Sequence, residues 1–486
     1  MSDTATPATP LPEPQHAPAN PGPSRRAVLA SSLAAALGMP VPSQARQALP
    51  LGFAPHILFV LTDDGPRDSY DAAAQAFPVV GQRYLGHWLS YPNASCNDPL
   101  CAPGRAATLS GLVSQHHGVV DNKTGGKLRM DQTWIVALQQ AGYRCGGYGK
   151  LINGWGLDVG DPTTVPPGFD DFHMLVSEPG YLDYKMNDNG VVAYHGFNDT
   201  NAPGTDYLPD VSRFQIQDFI AANQRDRPGQ PWAVYWAPNA PHRDSGANPL
   251  PAKRYANAPV EVVDPPNFNT GGQPHMPWLA KAQQKFPLDV DVIHTEHTAA
   301  LRCLLAVNEG LKAIMDQLAS LGLLDRTVIV VATDNSHIYG AYGLTDKGTA
   351  FEDSLNYLLR IRYPGAPDGE QRPQAVSNID IAPFLCELSG ATMPAAVDGK
   401  SFVATVLNAA APFREAAPIC HVKDGPGTPA FDGLRFADRK VLVGRAGGQA
   451  DGQKWAHNLL ADPWELQAVA PSKADLKKLQ KVLDSF

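Results

Sequence analysis

Two pairs of oxygen-bearing residues, Asp63-Asp64 and Asp334-Asn335, could together hold one hard cation. Carboxylates and a carboxamide suit Ca2+ or Mg2+, whereas zinc favours histidine and cysteine, and no histidine pair flanks these acids. One acidic turn after a strand is commonplace; two in one chain shift the balance to metal. A second chemical feature is the run Cys101-Ala102-Pro103-Gly104-Arg105. With 6 Cys, 45 Pro and 39 Lys+Arg in 486 residues, Cys-x-Pro-x-Arg arises by chance fewer than about 0.05 times per chain. The plain alternative is a buried thiol beside a helix-starting proline. Scattered cations and an imidazole complete the set: Gly149-Lys150, Ala240-Pro241-His242 and Lys347-Gly348-Thr349.

Four apolar, β-rich runs deliver most of these groups. Residues 56–61 end on Thr62-Asp63-Asp64, and residues 327–332 end on Thr333-Asp334-Asn335. Residues 232–237 lead through Pro238 to His242, and residues 143–148 lead to Gly149-Lys150. Continuous apolar runs without alternation predict strands buried on both faces of a parallel or mixed sheet. Ligands of open α/β sheets bind beyond the carboxyl ends of the strands, where all four polar sets would lie. Between the runs, residues 133–141 read as a helix closed by Gly142, and residues 297–321 place leucines at helical spacing before Gly322. Those leucines are core. Alternating strand and helix gives an α/β class.

Around these motifs the chain resembles the formylglycine-dependent sulfatases of the alkaline phosphatase superfamily, from His56 to about Val469. The matching pieces are Asp63-Asp64, Cys101 to Arg105, Gly149-Lys150, Ala240-Pro241-His242, Asp334-Asn335, Lys347-Gly348-Thr349 and the closing segment Asp462-Pro463-Trp464-Glu465-Leu466. The branch most similar is the N-acetylglucosamine-6-sulfatase-like one, through Gly149-Lys150-Leu151-Ile152-Asn153, Gly180 to Tyr184 and Pro265 to Asn269. Two departures stand out. Ile152 occupies a position where many sulfatases carry histidine, and Ser336-His337-Ile338 replaces a glycine followed by a histidine two residues later. His337 either substitutes for that group or is a loop histidine. His116 and His117 read as structural.

The resemblance implies a large mixed, mostly parallel sheet sandwiched by helices, with a smaller C-terminal α+β subdomain. It implies Ca2+, with Mg2+ as the alternative, bound by Asp63, Asp64, Asp334, Asn335 and position 101. Cys101 would be converted to formylglycine, Arg105 would orient it, and Lys150, His242 and Lys347 would contact the sulfate. A hydrated aldehyde offers two hydroxyls on one carbon: one attacks sulfur as the alcohol departs, and the second loses its proton to expel sulfate. A thiol lacks that second step. The activity so implied is hydrolysis of sulfate monoesters, carbohydrate O-sulfates first. A phosphodiester or phosphonate monoester hydrolase, and a non-catalytic glycan-binding relative with unmodified Cys101, remain as alternatives.

Composition sets the address. Net charge of −9 excludes a general nucleic-acid partner, so an anionic substrate must be drawn by local cations or a metal. Residues 1–23 are rich in Pro and Ala and read as disordered. Ser24-Arg25-Arg26-Ala27-Val28-Leu29, a short apolar stretch to Gly38 and Ser43-Gln44-Ala45 resemble a twin-arginine export signal. The stretch falls short of the roughly 20 residues needed to span a bilayer. The expected organisation is a signal over 1–45, a catalytic domain over 46–368 and a C-terminal subdomain over 369–486. Residues 181–284, rich in Pro, Asn, Asp and Gly, read as long surface loops that shape substrate access. A periplasmic or secreted protein follows, with a formylglycine-generating enzyme and the twin-arginine translocase as maturation partners. Six cysteines are too few for a disulfide scaffold; with Cys101 set aside, at least one of the other five is a core thiol.

Overall fold

The computed structural model describes residues 52–67, 77–81, 85–155, 161–176 and 180–485. The twin-arginine reading therefore lies outside the described residues. Nine strands form the main sheet: β1 (His56–Thr62), β2 (Trp88–Tyr91), β3 (Arg144–Gly149), β4 (Asp171–Leu175), β5 (Tyr184–Asp188), β6 (Val191–His195), β7 (Trp232–Ala237), β8 (Thr327–Thr333) and β9 (Leu359–Arg362). Their spatial order is β2-β9-β8-β1-β7-β3-β4-β5-β6. The five central strands, β8 to β4, are parallel. Antiparallel strands extend the sheet on both sides. All four predicted strands are present, and they lie side by side at its centre.

Opposite faces of β1 explain its unbroken apolar run. Leu58 and Val60 join a core with Val234, Trp236, Ile329 and Val331 against two helices, α3 (Leu208–Asp226) and α4 (Val290–Ser320). Phe59 turns the other way, edge-on to Trp134 of α2 (Trp134–Gln140) and stacked on Tyr235. Burying each such side chain contributes roughly 1.5–3 kcal/mol, so an alternating strand would waste one face. Over that second face, α2 packs with α1 (Cys101–Ser110) and α5 (Ile381–Ser389). Helix α2 ends as predicted: Gly142 adopts φ 91°, and Tyr143 N–H returns to Leu138 O at 3.0 Å.

The loop reading of residues 181–284 needs correction. The segment holds the β5–β6 hairpin and the 19-residue helix α3. Val211, Ile216, Phe219 and Ile220 line its buried face, but Asp210, Ser212, Arg213 and Asn223 are buried beside them. Buried polar groups blurred the apolar period that marks a helix. The C-terminal sheet comprises β10 (Ala416–His421), β11 (Phe431–Phe436), β12 (Arg439–Gly444) and β13 (Lys454–Asn458), antiparallel in that order. A turn at Ala437-Asp438 joins β11 to β12. Helix α6 (Lys473–Leu483) covers Leu434, Phe436 and Val441 with Leu479. Among the described residues, no helix is long and apolar enough to cross a membrane.

Candidate active site

Strand ends bring the polar groups together. Asp63 and Asp64 follow β1, and Asp334 and Asn335 follow β8, its parallel neighbour. The two turns interlock: Asp64 N–H donates to Asp334 Oδ1 at 3.1 Å, and Asn335 Nδ2 donates to Asp64 Oδ1 at 2.7 Å. Asp64 has φ 64°, a left-handed conformation uncommon outside glycine. Gly149 is required where β3 hands over to Lys150. Its φ is 99°, and a Cβ there would lie 2.1 Å from Ala237 O, the carbonyl that accepts Lys150 N–H. Helix α1 enters the same space with Cys101 as its first residue. Gly104 permits this approach, since a Cβ would lie 2.6 Å from Asp334 O.

Three buried cations surround the carboxylates. Lys150 Nζ donates to Asp63 Oδ2 at 2.6 Å. Arg105, with no exposed side-chain surface, donates from Nε to Asp334 Oδ2 at 2.8 Å and from Nη1 to Lys150 O at 2.7 Å. Lys347 donates to Asp64 Oδ2 and lies 3.1 Å from the Cys101 sulfur. Burial alone would raise the Asp63 and Asp64 carboxyls; Lys150 and Arg105 on one, Lys347 on the other, hold both below the ordinary range. Asp334 goes the other way. Burial and Asp63 push it up to about 7 despite Arg105. Burial and the Asp64 charge also push the Cys101 thiol well above its ordinary value, so the unmodified sulfur is held protonated and is a poor nucleophile.

His242 is the most exposed member of the group, with 21% of its side chain accessible. Its Nδ1 faces Arg243 O at 2.7 Å, which directs Nε2 toward Asp64 Oδ2, 3.7 Å away. Burial lowers its pKa. Tyr181 O–H holds the same turn through His242 O at 2.9 Å. Behind it, Arg243 forms a bidentate pair with Glu296 at 2.6 and 2.7 Å, and His337 lies 3.4 Å from Glu296 and 3.7 Å from Asp64. His337 is thus buried in the wall of the site. Sequence reasoning missed Glu296, which is buried on α4 one residue before the helix read over 297–321. Ile152 is buried, and His116 pairs with Asp398.

Every candidate named from the sequence lies in this cluster: Asp63, Asp64, Cys101, Arg105, Lys150, His242, Asp334, Asn335 and Lys347. Ligand atoms of Asp63, Asp64, Cys101 and His242 lie within 4.8 Å of one another. Asp63 Oδ1 and Asn335 Oδ1 are buried without a hydrogen-bond partner, as oxygens that face a cation would be. Oxygen donors of this kind fit a hard divalent ion. Asp334 is less available, because Oδ1 accepts Asp64 N–H and Asn335 N–H while Oδ2 accepts Arg105.

The geometry defines an α/β fold in which a cysteine at a helix start meets acids at the ends of parallel strands. The chain belongs to the sulfatase family, whose model matches residues 55–391. It is 24% identical to the N-acetylglucosamine-6-O-sulfatase of Bacteroides thetaiotaomicron, over 88% of this chain and 85% of that protein. It spans only 49% and 33% of the length of two extracellular sulfatase homologues, from Caenorhabditis elegans and Drosophila melanogaster. A solved protein in complex with its substrate D-glucosamine-2-N,6-O-disulfate shares the fold, with TM-score 0.72 and 21% identity over 89% of this chain and 97% of that one. So does the phosphonate monoester hydrolase of Agrobacterium radiobacter, with TM-score 0.66 and 19% identity over 88% and 95%.

Proposed function

We propose that this protein hydrolyses sulfate monoesters, with carbohydrate O-sulfates as its substrate class and residue 101 as the nucleophile after conversion to formylglycine. The observation that carries this reading is the meeting of Cys101 with Arg105, Lys150 and Lys347 beside two unpaired buried oxygens. Formylglycine would supply two hydroxyls on one carbon, one to bond sulfur and one to release sulfate. A Ca2+ ion held by Asp63, Asp64 and Asn335, with Asp334 and position 101 completing the set, would supply charge to the sulfate oxygens. Arg105 fixes the angle of Asp334 and the Lys150 backbone. Lys150 and Lys347 offer cations to an anion that enters past His242. His242 or Lys347 gives the departing alcohol its proton.

The relatives named for N-acetylglucosamine 6-sulfates and glucosamine disulfate support a sugar sulfate as substrate. A twin-arginine signal over residues 1–45 supports export to the periplasm or beyond. The deciding experiment is turnover of matched aryl sulfate and aryl phosphonate or phosphate esters by metal-loaded protein. A sulfate preference is expected; a dominant phosphonate or phosphate activity would replace the reading with its superfamily alternative, and no turnover of any ester would leave a glycan-binding role.

A further inference from the structure

Asp462 to Leu466 is remote from the other site motifs in sequence, yet both its backbone and its Glu465 side chain are bonded to distant parts of the fold. Three consecutive carbonyls each accept from a side chain elsewhere. Arg67 Nη2 donates to Pro463 O at 3.1 Å, Tyr342 O–H to Trp464 O at 2.6 Å, and Gln273 Nε2 to Glu465 O at 2.6 Å. Arg67 follows the Asp63-Asp64 turn closely, and Tyr342 precedes Lys347 by five residues. The Glu465 side chain then enters a fully buried ionic cluster. Its Oε1 pairs with Lys440 Nζ, and its Oε2 accepts Glu352 N–H at 2.7 Å. Lys440 also donates to Ala350 O and lies 3.5 Å from Glu352, which Arg435 pairs at 3.0 Å.

The cluster grips one short strap. Residues 347–352 run from the Lys347 ammonium, through Gly348 N–H bonded to Pro99 O at 3.0 Å, to Ala350 O and Glu352. One end is therefore tied beside Cys101, and the other is tied to the C-terminal sheet. Neither Lys440 nor Glu465 has exposed side-chain surface. Buried ion pairs contribute little net stability compared with apolar packing, so energy alone does not account for this one. Fixing a geometry does: a side chain displaced by about 1 Å can cost a hundredfold in rate. Burial raises the Glu465 carboxyl to about 7 even with Lys440 alongside, whereas Arg435 and Lys440 hold Glu352 down at about 2.

We infer that Lys440 and Glu465 are positioning residues for Lys347, with the closing segment serving as the latch that sets the ammonium against residue 101. The inference rests on Lys347 meeting the anionic group of the substrate, as in the reading above. Lys440→Met should lower kcat/KM on an aryl sulfate by about 10–100-fold in protein that still unfolds cooperatively above the assay temperature. Lys440→Arg should recover part of the loss. In a Lys347→Ala background, Lys440→Met should cost less than about twofold more, because the group it positions is gone. Full additivity, or unchanged kcat/KM in folded Lys440→Met protein, would overturn the inference. Glu465→Gln keeps shape and acceptor oxygen while removing charge. It supplies the same cycle should Lys440→Met fail to fold, with an expected loss of about 3–10-fold. Hydrogen exchange needs no substrate. Amides of residues 347–352 should exchange faster in either variant while residues 57–62 keep their protection; unchanged exchange in the strap sinks the latch even if the protein proves to be no sulfatase.

Discussion

Lys347 Nζ lies 3.1 Å from the Cys101 sulfur while also bonding Asp64, although 246 residues separate lysine and cysteine in the chain. The contact joins the proposed nucleophile to a cation whose charge burial disfavours but the Asp64 carboxylate more than restores, so it stays protonated. It also makes Cys101 the natural place to begin testing.

Protein from a host that makes a formylglycine-generating enzyme should carry an aldehyde at position 101. Mass spectrometry of the peptide should show sulfur lost and oxygen gained. Cys101→Ala should abolish turnover with a small change in melting temperature, because alanine fits the space of a buried thiol. Fully active protein with an intact Cys101 thiol would end the formylglycine mechanism.

Calcium should raise the unfolding midpoint and be required for turnover. A ligand at a hundred times its Kd stabilises by about 2.7 kcal/mol. Asp64→Asn should remove both the thermal shift and the activity, since it halves the charge of the Asp63-Asp64 pair. Stoichiometric zinc in active protein, indifferent to calcium chelation, contradicts the assignment.

His242→Ala should cost about 10²–10⁴-fold on alkyl or sugar sulfates and far less on nitrophenyl sulfates, whose leaving group scarcely needs a proton. The comparison is kcat/KM at saturating metal. Equal losses on both substrates would assign His242 to sulfate binding and pass the acid role to Lys347.

Replacing Arg25 and Arg26 by lysine should strand the precursor in the cytoplasm. Cell fractionation and the size of the processed chain, cut near Ala45, report the outcome. Normal export of the double variant refutes the twin-arginine route.

His173 gives a pH test away from the site. It bridges Asp188 at 2.6 Å and Asp171 at 3.2 Å. Burial disfavours its charge, but the two carboxylates outweigh it and raise its pKa from 6.5 to about 9. A raised histidine stabilises fully below pH 6.5, and that stability is lost as pH climbs through about 9. The effect is of the order of a few kcal/mol, with about 3.4 kcal/mol as its upper bound. His173→Gln should flatten urea-unfolding stability across that window; a wild-type slope in the variant would show that the bridge is neutral.

Much of the site was readable because of how parallel sheets are built. A strand buried on both faces shows a run without alternation, and it ends abruptly where backbone leaves the core. Asp63, Lys150, His242 and Asp334 sit on those endings or just past them. Other features gave weaker traces. Helix α3 hides Asp210 and Arg213 on its inner face, so its period faded, and the Arg243–Glu296 pair joins residues 53 apart with no local pattern to announce it. The Lys440–Glu465 pair was equally silent, because a buried lysine in a strand reads like any surface lysine until its partner is seen.

The latch at Glu465 sets a clock. Ribosomes add about 5–20 residues per second, and Glu465 emerges roughly 360 residues after Cys101, some 20–70 s later. Cys101 is wholly enclosed in the finished fold. Under the proposed maturation, an enzyme that converts Cys101 would have to reach it before the fold closes, and a nascent chain whose closing piece has yet to be synthesised would offer that access. Slower translation downstream of the motif widens that interval, and a fast, early-collapsing variant narrows it.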